Sequence, residues 1–511
     1  MTLVVKSVLR REHLFYKQAH SEDHSPRFQL PLPPPKDHLP ILRKKKKPVL
    51  LENVTIEKYA AEGRSLGRVD GKVVFVEKVV PGDVVDVWLT KNKEDWAEGY
   101  PHQYHTYSPQ RVQPFCEHFG VCGGCTWQML PYHLQLEYKQ QQVTDQLTRI
   151  GGLELPETMP IIGADPTEGY RNKLEFTFSN RRYLTREEML DPTIFGEGHY
   201  AGFHVKGMYN KVVNVNKCHL MAEPVNVIRE ALKAKAIELG LPFYDLALQA
   251  GWIRAVQYRY CTTGDLMVNV ILGYEQAEAR KALLDDLLEK APEITTLFYT
   301  INHKLNDSMA DLTPVHYYGE RDHAIEQLGR FRFKISPISF FQTNSRQAEV
   351  LYEVTRRFAN LDGTQTVYDL YCGTGSIGIY VSDGAKKIIG VEVVDAAVQD
   401  ARENASMNGI GHAQFFTGDV SKVCTDAFFA AHGRPDVIIT DPPRAGMSEK
   451  LVKQILDMQA PVVVYVSCNP GTQARDLKWL SEKYEVTKVQ PVDMFPHTLH
   501  IENVVQLRLR N

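Results

Sequence analysis

TVYDLYCGTGSIGIYV, from Thr366 to Val381, passes from an apolar strand pattern through Gly373-x-Gly375-x-x-Gly378 into an apolar helix pattern. Glu392 stands nineteen residues after the first of these glycines, at the end of the next strand-like run, KIIGVEVV. Strand, glycine turn, helix, strand and acid form a nucleotide-binding unit: the glycines let a ligand approach the backbone, and the carboxylate grips ribose hydroxyls. The stretch therefore predicts a Rossmann-like α/β domain over the final third of the chain. By itself it does not separate a dinucleotide from S-adenosylmethionine.

Two later strand ends narrow the chemistry. PDVIITDPPRAGM places Asp441, Pro442, Pro443 and Arg444 after an apolar run, and VVVYVSCNP places Cys468 after the following one. A cysteine is most often a small core residue. At the carboxyl end of a strand in an open α/β sheet, however, it stands where ligands bind. Amino-group methyltransferases use a similar Pro-Pro turn followed by an aromatic that stacks the base, and here Arg444 follows instead. Carbon 5 of a pyrimidine is a poor nucleophile until a thiolate adds at carbon 6 and leaves an enolate. Cys468 fits that demand, Asp441 can recognise the polar edge of the base, and Asn469 and Pro470 are expected to hold the turn rigid.

Outward from this third, 511 residues predict about three domains. No apolar run approaches the roughly 20 residues of a membrane span, and the start MTLVVKSVLRREHL has too short an apolar stretch for a secretory signal, so a cytoplasmic protein with no membrane partner is expected. Residues 1–48 hold eleven Lys and Arg against four Asp and Glu, a net charge of +7 that leaves −10 for the remainder of a chain whose total is −3. With PLPPPK and RKKKK this predicts a basic, proline-containing disordered arm, either a solvated tail or a phosphate-contacting one. Residues 49–110 alternate in short runs broken by DG and PGD, the pattern of a small β-barrel. Lys58, Arg64, Arg68, Lys91 and Lys93 among its strands favour RNA contact.

Residues 111–335 read as a central α+β domain. Cys116, Cys122 and Cys125 form a C-x5-C-x2-C loop with glycines between them, and Cys218 is the nearest further cysteine. Zinc and a four-iron cluster both accept four thiolates. Three ligands plus one distant cysteine favour the [4Fe-4S] cluster. GYRNKLEFTFSNRR interleaves Arg171, Lys173, Arg181 and Arg182 with aromatics, the pattern of either an RNA-facing sheet or a charged outer face. Residues 336–511 form the catalytic domain.

Residues 49–511 resemble the uracil-5 RNA methyltransferase family, and within it the iron–sulfur branch that modifies 23S ribosomal RNA. The resemblance rests on the barrel, the four cysteines, SFFQTN, DLYCGTGSIG, DPPR, SCNP and HIENVV, in family order. It implies an amino-terminal OB-like TRAM barrel, a central iron–sulfur domain and a carboxyl-terminal class I methyltransferase domain, acting as a monomer on ribosomal RNA. It further implies Cys468 as nucleophile and Glu502 as the base that removes the carbon-5 proton. Gln342, Tyr371, Ser376, Glu392, Asp419 and Asp441 match cofactor- and substrate-pocket positions, and Phe341 a position near the target base. Ser376 replaces the asparagine that many members carry. Cys261, Cys372 and Cys424 are expected to be structural, and His497 and His500 to shape the loop before Glu502. Three rivals compete: a radical enzyme, whose cluster loop is C-x3-C-x2-C; a noncatalytic RNA-binding assembly factor; and the uracil-5 methyltransferases of transfer RNA, a branch that generally lacks barrel and cluster.

Overall fold

The computed structural model describes residues 49–510 apart from 186 and 310; the basic arm expected over residues 1–48 lies outside them. Five strands, Leu50–Tyr59, Ser65–Val69, Lys72–Val76, Val84–Asn92 and Trp96–Thr106, close into a barrel in which the first pairs with the fourth. Alternation puts Val54, Ile56, Val74, Val76, Val85 and Val87 inside, as a half-buried strand surface requires. A central seven-stranded sheet follows, with the helices Pro224–Glu238 and Ala277–Lys290 packed together over its apolar core.

The final sheet contains seven strands, numbered here in chain order: β1 (Thr366–Leu370), β2 (Lys387–Glu392), β3 (Ala413–Thr417), β4 (Val437–Thr440), β5 (Val462–Ser467), β6 (Tyr484–Val492) and β7 (Glu502–Leu509). Their spatial order is β3-β2-β1-β4-β5-β7-β6. The first five are parallel, and β7 runs antiparallel between β5 and β6. The middle strands are buried on both faces, which is why VIIT and VVVYV read as continuous apolar runs.

Two pieces of the chain pack with this sheet although they precede residue 336. The hairpin Ala324–Leu328 with Phe331–Ile335 buries its apolar side in the same core as the helix Ser345–Ala359. The helix Tyr132–Arg149 lies against the helix Pro470–Leu480, and Ile162 bridges to Val492 at the end of β6. Both segments cover sheet surface that would otherwise meet water. The central sheet lies between them in the sequence, which hides this assignment from a linear reading.

Candidate active site

The carboxyl ends of the five parallel strands form one edge. β1 leads into Tyr371, β2 ends at Glu392, β3 is followed by Asp419, β4 by Asp441 and β5 by Cys468. β7 runs the opposite way, with Asn503 opposite Ser467. Its first residue, Glu502, therefore arrives at the same edge next to Cys468, although 34 positions separate them in the chain.

Electrostatics tie these groups together. Burial, with the carboxylates of Glu502 and Asp441, pushes the half-buried Cys468 thiol up to about 12, against the pull of the Arg444 guanidinium. Burial, reinforced by Asp441 and opposed by Arg444, holds the Glu502 carboxyl well above the usual carboxylate range. Asp441 is half-buried, and desolvation raises its carboxyl to about 7. One thiol, two carboxyls and one guanidinium thus share a poorly solvated pocket in which two full negative charges repel.

The two loops that carry these groups are joined. The Asn469 side chain caps the helix Pro470–Leu480 by accepting from the Gly471 amide at 3.1 Å, and donates to the Arg444 carbonyl at 3.0 Å. Thr472 donates to the same carbonyl at 3.2 Å. Pro470 occupies the first turn of that helix, where its missing amide is not needed. The buried Asp476 accepts from the Met447 amide and the Tyr465 hydroxyl, each at 2.7 Å, and so anchors the far end of the Asp441–Arg444 turn. The expected rigidity of Asn469 and Pro470 has this physical form.

On the nucleotide side, Gly373 and Gly375 adopt φ of +53° and +76°, a region that suits glycine. Gly378 is required for another reason: its amide donates to the Asp369 carboxylate at 2.9 Å, and a Cβ there would stand 2.9 Å from the same oxygen. Glu392 accepts from the amides of Gly373, Val393 and Val394, which orients its carboxylate at the glycine turn. The Ser376 hydroxyl lies 2.9 Å from the Tyr352 hydroxyl. Tyr371, at φ +63°, is half-buried and faces the charges of Asp419, Asp476 and Glu392. Asp419 is exposed and caps a four-residue helix through Ser421.

In the SFFQTN segment the two phenylalanines differ in exposure. Phe341 is 2% exposed and packs against Phe333 at 5.6 Å between ring centres, whereas Phe340 is 73% exposed. Phe341 faces the core because the following residues must turn into the helix Ser345–Ala359; the aromatic left at the surface is Phe340. The backbone carbonyl of Gln342 accepts from Asn172 at 2.9 Å, which ties this loop to the Tyr170–Lys173 segment of the central sheet.

Cys116, Cys122, Cys125 and Cys218 line one cavity of about 150 Å³ together with His118, His219 and Arg171. None of them is in a disulfide, and the Gly124 amide points to the Cys122 sulfur at 3.4 Å. Among the described residues no group of three or more His, Cys, Asp or Glu is spaced to hold a metal ion. The four cysteines share that cavity lining as a set of sulfur donors, the donor type that an iron–sulfur cluster takes. Cys261, Cys372 and Cys424 are buried within the apolar clusters, Cys261 also beside Glu326 and Arg259 and Cys372 beside Asp369 and Glu392.

Several basic residues read as RNA-facing are paired with acids. Arg64 and Lys91 both meet Glu98, at 2.8 and 2.7 Å, and Arg68 pairs with Glu57. Arg181 lies 3.3 Å from Asp245 and Arg182 2.8 Å from Glu188. Sequence reading missed Asp369, Asp476 and Asn172. The first left a trace, as a carboxylate inside the apolar strand VYDL.

A family model described as tRNA (Uracil-5-)-methyltransferase matches residues 320–510, and a TRAM domain model matches residues 51–100. A protein of Bacteroides thetaiotaomicron, described as an uncharacterized RNA methyltransferase, is 50% identical over 88% of this chain and 100% of its own. One of the same description from Porphyromonas gingivalis is 47% identical over 88% of this chain and 98% of its own. Among solved structures, the Pyrococcus abyssi tRNA (uracil-54, C5)-methyltransferase in complex with S-adenosyl-L-homocysteine superposes with a TM-score of 0.69 at 26% identity, covering 89% of this chain and 100% of that one.

Proposed function

This chain belongs to the RNA uracil-5-methyltransferase family that carries a TRAM domain, and we propose that it methylates carbon 5 of one uridine in 23S ribosomal RNA. It is an RNA methyltransferase, and S-adenosylmethionine is its methyl donor. The convergence of Cys468 and Glu502 at the strand edge that also bears the glycine turn supports the carbon-5 chemistry, while the ribosomal substrate rests on the sequence resemblance.

The chemistry follows from that convergence. The target uridine leaves its stack, at a cost of a few kcal/mol, to reach the pocket. Cys468 loses its proton to solvent, and its sulfur bonds to carbon 6, placing an enolate across carbons 5 and 4. Carbon 5 takes the methyl group from the sulfonium, releasing S-adenosylhomocysteine. Glu502 then accepts the carbon-5 proton, the electron pair of that bond restores the 5,6 double bond, and the carbon–sulfur bond breaks to free the thiolate. Glu392 holds the donor's ribose, with Tyr371, Ser376, Asp419 and Gln342 around the donor. Asp441 reads the polar edge of the base, and the exposed ring of Phe340 stacks on RNA.

We read Cys116, Cys122, Cys125 and Cys218 as the ligands of a [4Fe-4S] cluster, which when bound would crosslink the loop to the central sheet rather than take part in methyl transfer. Anaerobic protein should then contain on the order of four irons per chain with matching sulfide. Stoichiometric zinc without sulfide would remove this assignment.

A second reading has a specific observation behind it. The Pyrococcus enzyme is named for transfer RNA and is matched over its full length and over 89% of this chain, more than the central and carboxyl-terminal domains alone would supply. A barrel is therefore no ground for setting transfer RNA aside. Incubation with labelled S-adenosylmethionine and unmodified ribosomal and transfer RNAs, followed by mapping of the product, decides between them. Label confined to transfer RNA would sink the ribosomal reading, and label in neither would sink both.

A further inference from the structure

We infer that the buried Lys139–Asp493 pair, together with Tyr132, Gln135 and the His497 carbonyl, is a positioning frame for Glu502. The inference rests on the reading of Glu502 as the base. The Lys139 ammonium lies 2.7 Å from Asp493 Oδ1, and both side chains are fully buried. Lys139 also donates to the Phe495 carbonyl at 3.1 Å, while Asp493 accepts from the Phe495 amide and the Tyr132 hydroxyl, each at 2.9 Å. Gln135 accepts from the His497 amide at 2.8 Å, and its own amide lies 3.2 Å from His497 Nδ1. The His497 carbonyl in turn accepts from the amides of Thr126 and Trp127 at 2.7 and 3.0 Å. Tyr170 and Asn344 bond the intervening Pro496 and Met494 carbonyls.

Every residue from Asp493 to His497 is thus held by a group from another part of the chain, and Glu502 begins the strand five residues later. His497 sits at φ +64°, a conformation that surrounding contacts must enforce in a residue other than glycine. A buried ion pair is a poor source of stability, since apolar replacements of similar volume often do as well. Its place at the root of this one loop fits the geometry it imposes. Glu502 needs that geometry. Burial and neighbouring charge act on its carboxyl, and among the described residues no hydrogen bond is a cause of its shift, so its aim toward a carbon-bound proton comes from its backbone. Thr126 and Trp127 directly follow Cys125, so the cysteine loop is bonded to the loop that leads to Glu502.

The test separates a positioning role from a merely structural one. Lys139→Met combined with Asp493→Asn removes both charges and keeps the side-chain shapes. Single-turnover reactions with labelled methyl donor and substrate RNA are resolved by denaturing electrophoresis. The frame predicts that methyl transfer proceeds but that the methylated protein–RNA adduct persists roughly tenfold to hundredfold longer than in the parent, as a displaced catalytic group would cause. A smaller active fraction with unchanged adduct lifetime would overturn it. Should the double variant fail to fold, Tyr132→Phe deletes one hydroxyl and should lengthen the adduct lifetime in the same direction, and an unchanged lifetime there is equally fatal. RNA carrying 5-fluorouridine serves as the control. No adduct with the parent protein overturns the covalent reading itself, whereas an adduct with the parent but no lengthening in the variants overturns only the frame.

Discussion

In the proposed mechanism Cys468 and Glu502 divide the reaction between them, and each substitution should stop it at a different point. Cys468→Ala leaves the glycine turn and Glu392 intact, so S-adenosylmethionine binding should persist while methyl transfer falls by roughly 10³-fold or more. Equilibrium dialysis and a methyl-transfer assay on the same preparation check both halves. Glu502→Gln keeps the shape and removes the basicity, so methylation should begin and not finish. A labelled adduct should survive denaturing electrophoresis and vanish when Cys468 is also replaced. The pH profile carries a sign. Glu502 must be ionised to accept a proton, and burial with Asp441 holds its carboxyl above the ordinary range. Adduct resolution should therefore accelerate as pH rises beyond the ordinary carboxylate range. Asp441→Asn removes a charge that raises Glu502 and should move the profile to lower pH; movement the other way would mean the two carboxyls do not interact as described.

At the scale of elements, the strand–turn–helix unit contains its own cost. Asp369 is 1% exposed inside β1, and burial raises its carboxyl to about 7 while it accepts the Gly378 amide. Because its folded value lies above its unfolded one, the native state binds the proton more tightly. Its contribution to stability is fully present below about pH 4 and is lost as pH rises toward 7. Asp369→Asn retains an acceptor for Gly378 and should gain on the order of 2 kcal/mol at pH 8 and little at pH 4, read by urea denaturation at the two pH values. Equal effects at both would place the origin outside ionisation. The helix Pro470–Leu480 gives the companion case. Asn469→Ala removes its cap and the bond to the Arg444 carbonyl, so stability should fall by about 1 kcal/mol. Methyl transfer should fall further than that loss explains, because the Cys468 and Asp441 loops are no longer joined.

For the whole molecule, the central sheet and the methyltransferase sheet meet through buried polar contacts rather than apolar ones alone. Asn172 bonds the Gln342 carbonyl and the Ser345 hydroxyl, and the helix Tyr132–Arg149 reaches the loop before Glu502. If Cys218 is a ligand of the proposed cluster, its loss should therefore be felt at the catalytic edge. On that proposal Cys218→Ser is expected to lower the melting temperature by several degrees and to release iron; a variant that loses iron yet melts with the parent would separate the proposed cluster from the fold. The pairing of Arg64, Arg68 and Lys91 with glutamates leaves less free positive charge on the barrel than its composition implied.

Local pattern was enough for the nucleotide-binding unit, the barrel, and the strand ends bearing Asp441 and Cys468. Each depends on residues a few positions apart, where periodicity, glycines and prolines report directly on backbone geometry. The resemblance carried by DPPR, SCNP and HIENVV pointed to Cys468 and Glu502 but not to how they meet. That is decided by β7, which runs antiparallel beside β5 and brings a residue 34 positions away to the same edge. Tertiary packing alone turned Phe341 inward and left Phe340 outside, paired Lys139 with Asp493 across 354 residues, and neutralised charges that looked free. Burial and ion pairing depend on which distant segment covers a residue, and a linear pattern does not encode that neighbour.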